Sequence, residues 1–390
     1  MAAARSDDAT PPPAIGARIE RFLAAEHPAT PCLVIDLDVV ERQYRALAHA
    51  LPAAGIYYAV KANPAAEVIA RLAALGAGFD LASPGELARC RDLGVAPDRL
   101  SFGHTIKKER DIAAARRHGI DLFAFDARGE LDKLARVAPG ARVFCRLAVP
   151  GRGAQWPLTR KFGCDEATAV ELLIAARDLG LRPWGLSFHV GSQQTEPAQW
   201  ASAISRAATV FRVAARAGVA LEMLNLGGGL PAQYRDPVPP LERYAETMAA
   251  ALAHQFGGSV PRVLIEPGRF LVGDAGVLES EVVLIAARPG HDHRRWVYLD
   301  AGRFNGLAES FEERIQYRVA VPGRDGAGEP AVLAGPTCDS ADVPYQRSVY
   351  ALPCDLAIGD RVRFLSTGAY TASYASVEFN GFPPIRSHFV

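Results

Sequence analysis

The feature that most constrains the fold of this chain is an eightfold alternation between short β-rich runs and longer stretches with helical periodicity. The short runs occupy residues 56–60, 79–82, 99–103, 121–125, 142–147, 184–190, 222–226 and 262–266. The stretches between them, such as 66–76, 85–94 and 166–180, place apolar residues at i, i+3, i+4 and i+7 and end at a glycine. Apolar strands separated by amphipathic helices indicate a parallel sheet covered on both faces. Eight such units in roughly 230 residues predict an α/β protein built on a (β/α)8 barrel, with a doubly wound open sheet as the alternative.

The sequence changes character after Phe270. Helical periodicity gives way to strand-like runs, separated by Gly, Pro and Asp turns, at residues 277–288, 295–301, 361–365 and 374–380. We therefore predict a barrel over residues 38–270 and a C-terminal β-rich domain over residues 271–390. Residues 30–37 are expected to contribute a strand to the β-rich domain, and residues 1–29 to form an N-terminal tail and lead-in.

Composition excludes several classes of protein. The chain has 43 basic and 43 acidic residues, so no overall positive charge favours binding to nucleic acid or to a membrane surface. No apolar run reaches the roughly 18 residues that a membrane-spanning helix needs. The six cysteines form no CxxC pair, which argues against a zinc site and a disulfide framework. We predict a cytoplasmic protein that has no metal site and binds neither nucleic acid nor membrane.

Polar residues follow the predicted barrel strands, and in such barrels the chemistry takes place at the carboxyl ends of the strands. The residues in question are Lys61, Asp80, His104, Arg146, His189 and Glu266. The seventh strand runs into the glycines 227–229, and the eighth into Gly268 and Arg269. Barrels often bind phosphate at these last two loops, because exposed backbone N–H groups can approach its oxygens. A glycine triplet alone suits a tight turn equally well, and its position is what favours a phosphate site.

Lys61 ends the apolar run 56–60, where an unpaired cation would be costly to bury. Desolvation lowers the pKa of an ammonium group and yields the neutral amine that attacks aldehydes to form imines. From position alone, the simpler interpretation of Lys61 is a strand-end lysine whose amine reaches solvent. A phosphate loop together with an imine-forming lysine suggests pyridoxal phosphate, which needs a carboxylate beside its pyridine nitrogen. Glu266, on the last strand, is the candidate for that carboxylate.

Six ordered motifs resemble those of the fold-type-III pyridoxal-phosphate decarboxylases, which act on ornithine, lysine, diaminopimelate or arginine. The motifs are YYAVKANP at 57–64, FHVGSQ at 188–193, LGGG at 226–229, EPGR at 266–269, GPTCDSAD at 335–342 and GAYT at 368–371. The resemblance extends from about Thr30 to the C-terminus and is nearest to the bacterial ornithine/lysine decarboxylases. It implies a barrel followed by a β domain, in agreement with the pattern of strands and helices.

The resemblance also implies roles for individual residues. Lys61 resembles the lysine that binds the cofactor aldehyde, Glu266 the partner of the pyridine nitrogen, and His189 the histidine that stacks on the ring. Asp80 and Arg146 resemble residues that position the lysine and the carboxylate. The residues that resemble the phosphate ligands are Ser192, Gly228, Gly229, Gly268, Arg269 and Tyr370.

Cys338 resembles the acid that protonates the substrate after loss of CO₂, acting from the neighbouring subunit. The resemblance therefore implies a homodimer with two shared sites. Asp339 resembles the residue that receives the distal ammonium of ornithine. Because ornithine and lysine differ by one methylene, the sequence does not choose between them. Diaminopimelate, arginine and carboxynorspermidine decarboxylases remain alternatives, as does a catalytically inactive regulatory relative.

Five further charged residues are interpreted more simply. Glu309, Glu312 and Glu313 are additional candidates for binding the distal amine, or they form part of a solvated face. Lys107 and Lys108 open a predicted helix beside an acidic residue and are expected to be solvated.

Overall fold

The computed structural model describes residues 16–156, 161–288, 294–324 and 326–390; the first fifteen residues of the predicted N-terminal tail lie outside the described residues. The strands, in chain order, are β1 (Cys32–Ile35), β2 (Ala54–Ala59), β3 (Gly78–Asp80), β4 (Leu100–Ser101), β5 (Leu122–Phe125), β6 (Arg142–Arg146), β7 (Ala154–Trp156), β8 (Arg182–Ser187), β9 (Ser192–Gln194), β10 (Met223–Asn225), β11 (Arg262–Ile265), β12 (Gly276–Ala287), β13 (Arg295–Leu299), β14 (Val319–Ala320), β15 (Gly328–Ala334), β16 (Tyr345–Pro353), β17 (Arg361–Leu365) and β18 (Arg386–Phe389). The α-helices are α1 (Ala17–Glu26), α2 (Leu37–Ala50), α3 (Ala66–Ala74), α4 (Pro84–Asp92), α5 (Glu109–Arg117), α6 (Arg128–Val137), α7 (Glu166–Asp178), α8 (Ala198–Arg216), α9 (Leu241–Phe256) and α10 (Arg269–Val272).

Eight of the described strands form a parallel sheet in the order β4-β3-β2-β11-β10-β8-β6-β5. A parallel bridge between Phe102 and Phe123 joins the two outer strands of this order. At this bridge the Phe102 N–H donates to the Leu122 carbonyl at 2.9 Å, and the Ala124 N–H donates to the Phe102 carbonyl at 3.0 Å. The sheet therefore closes on itself, which confirms the predicted (β/α)8 barrel and excludes the open sheet.

The local sequence explains where the barrel helices begin and end. Helix α4 starts with Ser83, whose hydroxyl accepts from the Glu86 N–H, and has proline at its first position. Helix α7 starts with Asp165, whose carboxylate accepts from the Thr168 N–H at 2.8 Å. Gly180, with φ of +76°, follows the end of α7, as the sequence predicted for a glycine that stops a helix. No helix in the described part of the chain is both long and apolar enough to cross a membrane.

A second sheet follows the barrel in sequence, in the order β14-β17-β12-β13-β15-β16. Strand β1 joins it by pairing antiparallel with β12 and parallel with β18. The predicted β-rich C-terminal region is thereby confirmed, while the domain limits 38–270, 271–390, 30–37 and 1–29 stay predictions. One hydrophobic cluster continues from the barrel into this sheet, so the barrel and the sheet share a hydrophobic core.

Three details differ from the sequence-based expectations. The run 374–380, expected to be strand-like, contains no strand, and its end belongs to the 3-10 turn Phe379–Gly381. The strand β8 ends at Ser187, so His189 lies in the loop beyond it rather than at the strand end. Lys107, expected on a solvated face, is only 6% exposed, and its amine lies 3.0 Å from the Glu130 carboxylate. The sequence pattern missed this burial because Glu130 lies on α6, and only the folded chain brings that helix against the loop that contains Lys107.

Candidate active site

A cleft opens at the carboxyl ends of the barrel strands and gathers most of the residues that the sequence singled out. It is lined by Ala59, Lys61, His189, Ser192, Gly228, Gly229, Leu230, Glu266, Gly268, Arg269 and Tyr370. The first ten belong to the barrel and Tyr370 follows β17 of the β-rich sheet, so both parts of the molecule form the cleft. Asp80 and Arg146 lie close enough to Lys61 to shift the pKa of its amine.

Lys61 lies on a single 3-10 turn, Val60–Ala62, directly after β2. The β-rich domain holds this turn in place: the Tyr370 N–H donates to the Ala62 carbonyl at 2.8 Å, and the Ser373 hydroxyl donates to the Lys61 carbonyl at 3.1 Å. The side chain of Lys61 is accessible from the cleft. The turn therefore presents a lysine amine into the cleft from a backbone that is fixed on two sides.

The charge on Lys61 differs from the sequence-based expectation. Desolvation by the surrounding protein alone would lower the pKa of this amine, but Tyr370 and Asp80 oppose that effect, and the net shift of the Lys61 pKa is upward. Glu266 contributes in the same direction. The expectation of a lowered pKa is therefore wrong for this structure, because acidic side chains surround the amine. Lys61 must lose a proton before it can attack an aldehyde.

Two carboxyl groups lie near the amine, the buried Asp80 and the partly buried Glu266. Burial raises the pKa of Glu266, while a hydrogen bond of 2.5 Å from the Asn225 amide opposes that rise. Burial likewise raises the pKa of Asp80 well above its ordinary range, and the neighbouring Glu266 adds to the effect. One carboxyl oxygen of Asp80, Oδ1, has no hydrogen-bond partner among the residues described. Arg146 has a pKa lowered by burial even though Glu266 attracts its charge.

Asn225, which belongs to none of the six motifs, links the Glu266 carboxyl group to the glycine loop. Its amide donates to Glu266, and its side-chain oxygen accepts from the Gly227 N–H at 2.9 Å. Asn225 is only 1% exposed, so both hydrogen bonds are shielded from water. A polar residue inside the apolar run 222–226 was the available sequence signal.

His189 is held as a neutral ring. Its Nδ1 accepts from the Gly191 N–H at 3.0 Å, which leaves the proton of the neutral imidazole on Nε2. Burial lowers the pKa of His189 well below its usual value, and the charges of Arg146 and Lys61 lower it further. A neutral, oriented imidazole on the wall of the cleft is suited to stacking on a flat ring.

The glycine loops leave no room for side chains. A Cβ atom on Gly228 would lie 2.6 Å from the Glu266 carbonyl oxygen, and one on Gly229, which has φ of +120°, would lie 2.5 Å from the Gly191 carbonyl oxygen. A Cβ atom on Gly268 would lie 3.0 Å from the Ala62 Cβ. Bare backbone therefore faces the cleft at these positions, which is the surface that a phosphate group requires.

Arg269 is buried beside this glycine surface. Its Nη2 donates to the Ser192 hydroxyl at 3.1 Å, and its guanidinium lies 4.9 Å from the centre of the Tyr370 ring. Its other partners are Glu309, at 2.5 and 2.6 Å, and the Tyr234 hydroxyl at 2.6 Å. The structure thus brings the predicted phosphate ligands together and adds two residues that the sequence-based assignment did not include.

Cys338 and Asp339 do not line the cleft of their own chain. Both are exposed, on the segment that follows β15. The Cys338 N–H donates to the Asn380 side-chain oxygen at 2.9 Å, and the Asp339 carboxylate accepts from the Ala341 N–H at 2.8 Å. Within one chain, these two predicted residues are therefore separate from the lysine and the glycine loops.

The three glutamates of the segment after β13 have different surroundings. Glu312 is exposed and pairs with Arg314 at 2.6 Å. Glu313 accepts from three backbone N–H groups, those of residues 346, 347 and 348, and from the Ser348 hydroxyl. Both oxygens of Glu309 are bound to Arg269. The carboxylates of Glu309 and Glu313 are thus already engaged within the chain.

The cleft fits pyridoxal phosphate on its own geometry. It supplies an amine for the aldehyde, a partly buried carboxyl group for the pyridine nitrogen, a neutral imidazole for the ring face, and bare glycine backbone with Arg269 and Ser192 for the phosphate. The unpartnered oxygen of Asp80 also indicates a buried polar position that the chain alone leaves unsatisfied.

Comparison with known proteins agrees with this chemistry. The family model described as "Pyridoxal-dependent decarboxylase, pyridoxal binding domain" matches residues 37–273. A lysine/ornithine decarboxylase from Selenomonas ruminantium is 36% identical over 358 residues, which cover 90% of this chain and 88% of that protein.

Solved structures give the same result. A lysine/ornithine decarboxylase from Vibrio vulnificus, complexed with cadaverine, has a TM-score of 0.86 at 33% identity and covers 96% of this chain and 97% of its own. The arginine decarboxylase of Paramecium bursaria Chlorella virus has a TM-score of 0.87 at 30% identity and covers 96% of this chain and 99% of its own. The chain therefore belongs to the pyridoxal-dependent decarboxylase family, as its motifs predicted, and its barrel contains the pyridoxal-binding domain.

Proposed function

We propose that this enzyme decarboxylates a basic L-amino acid, L-ornithine or L-lysine, to putrescine or cadaverine and CO₂, as a step in polyamine biosynthesis. The observation that carries the proposal is the cleft that unites the Lys61 amine, the Glu266 carboxyl group and the glycine loops with Arg269. The names of the Selenomonas and Vibrio relatives support this choice of substrates.

The residues of the cleft divide the work of holding the cofactor. Lys61 would bind the aldehyde, Glu266 would keep a proton on the pyridine nitrogen, and His189 would cover one face of the ring. Ser192, the glycines 228, 229 and 268, Arg269 and Tyr370 would hold the phosphate. When bound, pyridoxal phosphate accepts the electrons released at the substrate α-carbon as CO₂ leaves.

Proton transfer is assigned to the chain's own side chains. In its ionised form Asp80 is a stronger base than an ordinary carboxylate, because burial raises its pKa, and this form is suited to take the proton that Lys61 gives up before it reacts. Asn225 orients the Glu266 carboxyl group through its amide and is itself fixed by the glycine loop. Cys338 would return a proton to the α-carbon, and Asp339 would receive the distal ammonium of the substrate.

A homodimer reconciles these last two roles with the exposed position of both residues. The surface beside Cys338 is apolar for an exposed face: Tyr374 is 51% exposed, Val377 84% and Phe379 38%. Phe379 packs on Phe304 at 5.0 Å between ring centres, and this fixes the segment next to Cys338. We propose that this face packs against a second copy and inserts Cys338 and Asp339 into the partner's cleft.

The attachment of the cofactor is tested by absorbance. Lys61→Ala should abolish the absorbance band of the imine with pyridoxal phosphate and all decarboxylase activity, whereas the exposed control Lys108→Ala should retain both. An unchanged spectrum in Lys61→Ala would place the attachment elsewhere. A chain that binds no pyridoxal phosphate at all would refute the proposal and favour an inactive regulatory relative.

The shared site is tested by mixing two inactive variants. Lys61→Ala and Cys338→Ala lie in different halves of the proposed composite site, so a mixed dimer contains one intact site out of two. Equal amounts, dissociated and reassembled, should regain about a quarter of the wild-type activity. No recovery, in a sample shown to contain mixed dimers, would place both residues in the same chain's site.

The substrate is assigned by comparing kcat/KM for CO₂ release from ornithine, lysine, arginine, diaminopimelate and carboxynorspermidine. Ornithine and lysine should be preferred, and the two should differ modestly, because one methylene contributes only about 1–3 kcal/mol to discrimination. A preference for arginine would favour the activity named for the viral relative. A cytoplasmic location is part of the same proposal, and fractionation of cells that express the tagged chain would test it.

A further inference from the structure

Glu309 and Arg269 form a buried ion pair between the two parts of the molecule. Arg269 begins α10 of the barrel, and Glu309 lies on the 3-10 segment Ala308–Glu313 that follows β13. The two residues are 3% and 4% exposed, and the pair is bidentate, with Nη1–Oε2 at 2.6 Å and Nη2–Oε1 at 2.5 Å. Burial alone would lower the pKa of Arg269, but attraction to Glu309 raises it well above the usual value, so the guanidinium is charged.

The hydrogen bonds of the guanidinium fix its orientation. Glu309 binds the edge formed by Nη1 and Nη2, and the Tyr234 hydroxyl lies 2.6 Å from Nη1. The adjacent edge, formed by Nε and Nη2, faces the Ser192 hydroxyl at 3.3 and 3.1 Å. Ser192 lines the cleft, so the edge that Glu309 leaves free is the one directed at the proposed phosphate position.

Aromatic contacts strengthen this orientation. The guanidinium contacts two tyrosine rings, Tyr370 at 4.9 Å from the ring centre and Tyr234 at 5.6 Å. Tyr234 is held edge-on against Tyr317, at 5.4 Å between ring centres. The side chain therefore has little freedom to rotate, provided that Glu309 remains to bind its far side.

These contacts argue against a role for Glu309 in binding the substrate's distal amine. Each of its oxygens already binds one nitrogen of Arg269. Turning toward a substrate ammonium would leave a buried guanidinium without its counter-charge, which is strongly unfavourable.

We propose that Glu309 is a positioning residue, which holds Arg269 with its Nε–Nη2 edge toward the phosphate of the cofactor. The inference rests on the proposed function, because it requires the cleft to bind a phosphorylated ligand. A carboxylate near a phosphate weakens the net positive charge of the site, so the gain is in geometry: a guanidinium fixed by a bidentate partner presents two parallel donors without further loss of freedom.

The test compares pyridoxal phosphate with pyridoxal, which lacks the phosphate. The enzyme is stripped of cofactor, and both dissociation constants are measured by absorbance for wild type, Glu309→Ala, Glu309→Asp and the exposed control Glu312→Ala. Loss of Glu309 should weaken pyridoxal phosphate binding by about tenfold to a hundredfold, and should change pyridoxal binding less than about threefold, since only charge-assisted bonds to the phosphate are affected. Glu309→Asp, which keeps the carboxylate, should recover part of the loss, and Glu312→Ala should match wild type.

The outcomes are distinguishable. If both ligands bind more weakly by the same factor while the melting temperature falls, Glu309 supports the fold and the proposal is overturned. If both affinities stay at the wild-type level and only KM for the amino acid rises, Glu309 binds the substrate, and the proposal is again overturned. If Glu309→Ala does not fold, Glu309→Asp decides on the same ratio of affinities. If wild type binds neither ligand, the proposed function fails, and this inference fails with it.

Discussion

Replacing Lys107 with methionine removes a buried amine from the wall of the barrel. In the folded protein this amine donates to the His104 carbonyl at 2.7 Å and to the Ala124 carbonyl at 2.6 Å, and it pairs with Glu130 at 3.0 Å. Burial lowers the pKa of Lys107 to about 8, although Glu130 opposes the shift. Methionine has a similar length and no charge, so the variant reports on the cost of burying the ammonium.

The sign of the pH effect follows from the two protonation equilibria. The folded state releases the Lys107 proton near pH 8, while the unfolded state keeps it until its ordinary value of 10.5. Because the unfolded state binds more protons in between, this residue makes the free energy of unfolding increase with pH across that window. The full difference corresponds to about 3 kcal/mol, of which about 2 kcal/mol falls between pH 7 and pH 9.5.

Urea unfolding at one fixed protein concentration measures the effect for wild type, Lys107→Met and the exposed neighbour control Lys108→Met. As the pH rises from 7 to 9.5, the unfolding free energy of wild type should increase by about 2 kcal/mol relative to that of Lys107→Met. The difference between wild type and the Lys108→Met control should not change with pH. Taking the difference removes the contribution of buried tyrosines that titrate at higher pH. A difference that stays flat from pH 7 to pH 9.5 would refute a lowered pKa for the buried amine.

Three further predictions concern Asn225, Asp339 and Glu313. Asn225→Ala should raise the pKa of Glu266 further, because Asn225 donates the hydrogen bond that lowers it, and the acid limb of the kcat/KM profile should move to higher pH; an unmoved limb would contradict this. Asp339→Asn should lower kcat/KM for the diamine precursor by the equivalent of about 2–5 kcal/mol, and an effect of less than about threefold would mean that another group holds the distal ammonium. Glu313 has a pKa lowered to about 2, since the hydrogen bonds from residues 346–348 outweigh burial, so its stabilisation is present above pH 4.5 and is lost as the pH falls toward 2. Glu313→Gln should therefore unfold with less pH dependence in that range than Glu312→Gln, and equal acid unfolding curves would contradict the assignment.

The arrangement of the barrel was predictable because its signals are local. Each apolar run and each glycine-ended helix lies within about twenty residues, and the carboxyl ends of parallel strands necessarily meet at one end of the barrel. The sequence pattern alone therefore predicts that Lys61, Glu266 and the glycine loops lie at one site. Strand limits were less predictable: the run 99–103 reduces to Leu100–Ser101, because only the pairing partners decide where a ladder ends.

The charges of individual residues were less predictable because they depend on distant partners. The sequence pattern around Lys107 looks solvated, yet Glu130 on the next helix buries it in an ion pair. Glu309 looked like one of several exposed acids until the fold placed it against Arg269, forty residues away in the chain. The same applies to Lys61, whose pKa is raised because Tyr370 and Asp80, from other segments, offset the desolvation of its amine.

The cleft depends on contact between the barrel and the β-rich domain at the segment that contains Lys61. The Asn63 amide donates to the Gly368 carbonyl at 2.9 Å, and the Tyr370 N–H donates to the Ala62 carbonyl at 2.8 Å, so backbone on both sides of the interface adjoins the lysine. Glu309 makes a second link across the same interface through Arg269. A ligand bound by Lys61 at one end and Arg269 at the other would engage both links, and binding to the folded state alone stabilises that state by mass action. Filling the cleft should therefore stabilise the packing of the two domains as well as the barrel itself.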